Sequence, residues 1–205
     1  MDKYIQFPRY SIFLIPNQEF EDLVKDILFK NNIIFDKLGI SKYGLHYTVK
    51  APFYLSHLYN EKNLIDSFAS YFSLNKNYSY REKFNISGLI KYKNSYALEI
   101  FSNEKFNFFC NDIVRYFDIF RKTLNQQETK IDLKRFDNLS ILEMEYYFIW
   151  GYPYLFEFKN HHISISDNLK ELTYDNNINS LKFSKISLMK QDNTNGKFYS
   201  ICDMD

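Results

Sequence analysis

The chain has 205 residues, 45% of them hydrophobic and 25% charged, with a formal net charge of +1. That suffices for one compact domain or two small lobes sharing an interface. It leaves no global field to attract nucleic acid or an anionic membrane, and the 20% aromatics, 21 Phe and 18 Tyr with 1 Trp, read as compositional background beside abundant Asn, Lys and Ile.

No cationic segment leading into an apolar stretch opens the chain, and no apolar run approaches the ~20 residues of a membrane span. Cys110 and Cys202 are not arranged as CxxC. The expectation is a cytoplasmic protein with free thiols and no membrane partner.

Residues 9–15 (RYSIFLI) form a β-rich run closed by Pro16, a first strand. Residues 19–30 place Phe20, Leu23, Val24, Ile27 and Leu28 at helix spacing. Tyr43-Gly44 is a turn into a second strand over 45–53. Residues 60–72 read as a helix with Leu64, Ile65, Phe68, Ala69 and Phe72 on one face. Residues 84–90 and 96–101 flank a turn and predict a hairpin, and 105–120 a third helix. The polar stretch 122–132 breaks the pattern. A helix is expected over much of 133–147, stopped by Gly151 and Pro153, then a strand over 161–166. Residues 181–189 and 197–202 enclose Asp192-Asn193-Thr194-Asn195-Gly196, a second hairpin signal. Each half pairs strands with helices and contains one histidine-bearing strand, a coarse duplication. This is α+β organisation, not the regular βαβ of a doubly wound sheet.

Two of the four histidines share one local pattern, His-apolar-hydroxyl-apolar: His46-Tyr47-Thr48-Val49 and His162-Ile163-Ser164-Ile165. Residues i and i+2 of a strand share a face. His46, Thr48 and Lys50 are therefore expected on one side of their strand, and His162, Ser164 and Ser166 on one side of theirs. If these sides meet across a cleft, two imidazoles and two hydroxyls converge. Such a set suits phosphodiester hydrolysis. A neutral imidazole takes a proton from water and a protonated one supplies the leaving oxygen, while the hydroxyls donate to the non-bridging oxygens. No metal or other cofactor is called for. A lone strand histidine is more often structural, and His57 and His161 keep that reading. HExxH, paired CxxC, GxxxxGK[ST] and GxSxG are absent.

These paired motifs resemble the two-histidine (2H) phosphoesterase superfamily, which includes RNA 2′,3′-cyclic phosphodiesterases. The narrower resemblance is to its uncharacterised branch labelled phosphonate metabolism protein. It rests on Arg9-Tyr10, the run from Tyr43-Gly44-Leu45-His46 through Ala51-Pro52-Phe53, Phe117-Asp118-Ile119-Phe120-Arg121, and Trp150-Gly151-Tyr152-Pro153-Tyr154 leading to His162. The resemblance implies a single bilobal domain over 1–205, with two related lobes of antiparallel sheet plus helices and the histidines in the cleft between them. It also implies an activity, the opening of a sugar or nucleotide cyclic phosphate. Departures are Leu45 where Phe is usual, Ser164 where Thr is common, and Lys122 where a small residue is usual.

Arg9 and Arg121 are candidates to clamp a second phosphate, Lys50 to bind the first, and Tyr43 and Tyr154 to stack on a base or sugar. Each has an alternative reading, as an ion pair, a strand-end lysine or core tyrosines. The expected partner is a small phosphorylated substrate. An RNA-end cyclic phosphodiesterase and an inactive nucleotide- or RNA-binding module are the alternatives.

Overall fold

The computed structural model describes residues 8–75, 79–92, 95–167, 171–174, 178–193 and 196–205. The expected turn residues Lys93, Asn94, Thr194 and Asn195 lie outside them. The architecture is α+β. Among the described residues there are two four-stranded antiparallel sheets and five α-helices.

The first sheet has the order β2-β1-β7-β8, from β1 (Arg9–Pro16), β2 (Tyr47–Tyr54), β7 (Phe183–Gln191) and β8 (Tyr199–Met204). The second has the order β5-β4-β3-β6, from β3 (Phe84–Tyr92), β4 (Ser95–Ile100), β5 (His162–Ser166) and β6 (Ser180–Leu181). The duplication therefore does not divide the chain into halves. The second sheet is built from the middle of the chain, and the C-terminal hairpin returns to complete the first. The local repeat is a strand, a helical segment and a strand, β1 to β2 through one α-helix and β4 to β5 through three, and each ends on an edge strand carrying a histidine motif.

The helices follow apolar spacing and caps. In α1 (Gln18–Lys30), Phe20, Val24, Ile27 and Leu28 are buried, and the Asn17 side chain accepts from the Phe20 N–H. Asn60 and Asn63 form a reciprocal capping box on α2 (Glu61–Leu74). α3 (Glu104–Phe117) buries Phe106, Cys110, Ile113, Val114 and Phe117 and runs into a short 3₁₀ turn at Asp118–Phe120.

Two expectations need correction. The polar stretch 122–132 contains a helix, α4 (Gln126–Leu133), started by an Asn125–Glu128 capping box. The next helix, α5 (Ile141–Trp150), begins later than expected. The backbone turns at Asn138 (φ 50°), and Ser140 with Glu143 caps the new start. Gly151 (φ 75°) ends it in the left-handed conformation that favours glycine.

One hydrophobic core runs through both sheets. It takes Tyr10, Ile12 and Leu14 from β1, Leu98 and Ile100 from β4, and Ile163 and Ile165 from β5. A smaller cluster of Phe13, Met189 and Phe198 lies on the other face of the first sheet, with Tyr43 against it. Both cysteines are free thiols, Cys110 buried and Cys202 half-buried. No helix among the described residues is long and apolar enough to cross a membrane.

Candidate active site

Edge strands β2 and β5 approach one another, and the two histidine motifs meet there. His46, Thr48, His162 and Ser164 line one cavity of about 550 Å³.

The two motifs are built alike. The His46 Nδ1–H donates to the Gly44 carbonyl at 2.9 Å, and the His162 Nδ1–H donates to the Asn160 carbonyl at 2.8 Å. A carbonyl only accepts, so Nδ1 is the protonated nitrogen in each neutral ring and Nε2 is the one that takes and gives a proton. Gly44 sits at φ 67°, a conformation glycine supplies without strain, and this aims its carbonyl back at the ring. The His46 ring also stacks on Phe13, with centroids 3.8 Å apart and planes 20° apart. The small cluster behind β1 thus serves as its backing.

Alternation along each strand breaks just after the hydroxyl. In β2, Thr48 pairs with Phe13 and Lys50 with Ile12, leaving Val49 as an extra residue. In β5, Ser164 pairs with Ala97 and Ser166 with Tyr96, leaving Ile165 extra. Each is a β-bulge, and a bulge reverses the facing of the residues beyond it. Thr48 and Ser164 keep the cleft face. Lys50 and Ser166 turn to the core, contrary to the expectation that they share the face of the histidines. Lys50 is 3% exposed, and its ammonium donates to Asp118 at 2.9 Å. The Ser166 hydroxyl is buried, with no hydrogen-bond partner among the described residues.

Arg121 joins the same ion cluster. Its Nε and Nη2 donate to the two Asp118 carboxylate oxygens at 2.9 and 3.1 Å, and Nη2 also to the Ile149 carbonyl at 2.6 Å. Lys50 and Arg121 line a separate void of about 10 Å³ with Trp150 and Gly151, not the large cavity. A Cβ at Gly151 would lie 2.7 Å from Arg121 Cδ. Arg121 and Trp150-Gly151 thus meet beside Asp118, and Lys50 and Arg121, expected at the substrate, lie in this ion cluster and not on the wall of the large cavity.

Tyr154 does line the cavity, together with Tyr152. Tyr43 stands beside His46 at 6.4 Å between ring centroids and beside Phe198 at 5.6 Å. Arg9 lies farther along the same face, its guanidinium over Phe198 at 5.9 Å and its Nε donating to Gln191 at 3.0 Å. Arg9 and Tyr43 are thus neighbours of the site and not part of the cavity wall. His161 faces the core, as expected. Its Nδ1 shares a hydrogen bond with the Tyr47 hydroxyl at 2.8 Å, with the rings parallel within 4°. His57 is exposed.

Lys159 lines the cavity and was not singled out from the sequence. Its ammonium donates to the Val49 carbonyl at 3.1 Å and lies 4.8 Å from the centre of the Tyr47 ring. The signal available in the sequence was its place three residues before His162.

Burial, opposed by the Gly44 hydrogen bond and aided by the nearby His162, lowers the pKa of His46 to about 4. His162 is lowered too, by burial first, with Lys159 acting in the same direction. Both rings are thus mostly neutral near pH 7. Among the described residues no group of three or more His, Cys, Asp or Glu side chains is placed to hold a metal ion.

Residues 48–198 match the family described as Protein of unknown function (DUF1045). That is more than half of the chain, and the chain belongs to this family. No curated protein matches it.

Proposed function

We propose that the chain is a metal-independent phosphodiesterase of the two-histidine type that hydrolyses a cyclic phosphate or other small phosphodiester. The observation that carries this reading is the matched pair of motifs on one cavity. Each presents an imidazole with Nδ1 held by a carbonyl two residues back and a hydroxyl two residues on. Membership in a family that includes proteins associated with phosphonate metabolism is compatible with it.

In this reading His162 Nε2 takes a proton from water as the water oxygen bonds to phosphorus. His46, protonated, gives its proton to the departing alkoxide as the P–O bond breaks. Thr48 and Ser164 donate to the non-bridging oxygens, where charge builds. Lys159 beside His162 favours the neutral ring, as a base requires. His46 starts neutral and gains its proton when the anionic substrate arrives, and an imidazolium of low pKa is a strong donor.

The test is turnover of a panel of cyclic nucleotides, sugar cyclic phosphates and RNA 2′,3′-cyclic ends, with chelator present. Hydrolysis of at least one cyclic phosphate by the wild type, lost in His46→Ala and in His162→Ala, is the expected result. Turnover that requires an added metal, or that survives both substitutions, overturns the proposal.

A further inference from the structure

We propose that Lys159 is the anion anchor of this cavity and matches it to a small cyclic phosphodiester bearing a single negative charge. This rests on reading the cavity as a phosphodiesterase site and deepens that reading to a substrate class.

The charge inventory of the cavity wall is short. Among the residues that line it, Lys159 is the one with a formal charge. Both imidazoles are mostly neutral near pH 7 in the free protein, and the remaining polar side chains are hydroxyls and the Asn160 amide. Of the neighbouring cations, Lys50 and Arg121 are engaged by Asp118 and open onto a different void, and Arg9, outside the cavity wall, donates to Gln191. Before His46 takes up its proton, the one positive charge of Lys159 complements a phosphodiester monoanion. A further phosphomonoester would add roughly 1.5 to 2 negative charges with no second cation among the lining residues to receive them. A strand of RNA would call for a basic track following its backbone.

Lys159 lines the cavity, and burial lowers its pKa from the ordinary lysine value, so an anion arriving there favours its charged form. A lysine has three N–H donors, and the hydrogen bond to Val49 uses one. The acceptor, Val49, is the bulge residue of edge strand β2. The bulge that turns Lys50 away from the cleft thus also carries the carbonyl that holds Lys159. The uncharged part of the wall, Pro52, Tyr152, Tyr154, Leu155 and Phe158, is apolar and aromatic and suits the face of a sugar or base ring. A cavity of about 550 Å³ is of the size that encloses a small molecule. The class that fits is a nucleoside or sugar cyclic phosphate without an additional phosphate.

The experiment is calorimetric titration of a nucleoside 2′,3′-cyclic monophosphate into the His46→Ala protein, where turnover does not interfere, and into the same protein carrying Lys159→Gln. Glutamine can still donate to the Val49 carbonyl but has no charge. The expected result is at least about tenfold weaker binding and a flatter salt dependence in Lys159→Gln. Lys159→Arg should recover most of the affinity, and it keeps the test open if Lys159→Gln does not fold. The uncharged nucleoside should bind both proteins equally, whereas a merely structural lysine would weaken both ligands alike. A ligand with an added 5′-phosphate should bind no more tightly than the parent. Equal binding of the cyclic phosphate with and without the Lys159 charge overturns the proposal. So does failure to bind it at all, or a tenfold gain from the 5′-phosphate. Turnover of the same compound by the wild type is read separately. Charge-dependent binding without turnover keeps the anchor and removes the reaction, and turnover that ignores Lys159 does the reverse.

Discussion

Val49 and Ile165 occupy the same place in the two edge strands. Each is the unpaired residue of a β-bulge, one position beyond the motif hydroxyl and three beyond the histidine. The two motifs are thus alike in backbone as well as in side chains. In both, the histidine and hydroxyl face the cavity and the residue after the bulge faces the core.

In the proposed mechanism the two histidines act as one unit. His46→Ala and His162→Ala should each reduce turnover at least about 100-fold, the lower end of general acid–base contributions. The double variant should be little slower than the worse single one, because groups acting together are not additive. Initial rates on whichever cyclic phosphate the wild type hydrolyses check this, and near-normal rates in either single variant count against a two-histidine mechanism.

The pH dependence of kcat/KM should be bell-shaped with its maximum on the acid side of pH 6.5. One ring must be charged and the other neutral, and both pKa values are lowered in the free protein, that of His46 to about 4. The two apparent values belong to the coupled pair. A maximum above neutral pH would mean that the free rings are not held neutral by burial.

Asp118 should matter for stability and little for binding. It faces two cations at once, Lys50 and Arg121. Asp118→Asn leaves the buried Lys50 without its counter-charge and should cost about 3 kcal/mol in denaturant unfolding, with KM of the folded protein nearly unchanged. A raised KM at unaltered stability would return Lys50 and Arg121 to the substrate site.

His161 links folding to pH. Burial holds its pKa at about 4, while the unfolded chain returns it to about 6.5. Between these values the unfolded state binds more protons. The contribution is therefore full above about pH 6.5 and is lost as pH falls towards 4. Urea unfolding at pH 7 and pH 5 should show a smaller loss for His161→Gln than for the wild type, and equal losses would place the sensitive group elsewhere.

The sequence by itself determined much of the local structure. Apolar spacing placed α1, α2 and α3 near their bounds, and runs of β-formers bounded by turn residues located the main strands. The repeated His-x-hydroxyl pattern marked the two segments that the fold brings to one cavity. The Asn125–Glu128 and Ser140–Glu143 caps were also legible, and reading them would have put α4 and α5 in place. Three things were decided only by the tertiary structure. The C-terminal hairpin pairs with β1, so the lobes are not halves of the chain, because strand order depends on contacts between distant segments. Lys50 and Ser166 face inward, because a bulge is a property of pairing between strands and leaves no period-two mark in either one. Lys159 reaches the cavity, because its ammonium is held by the Val49 carbonyl, 110 residues away in sequence.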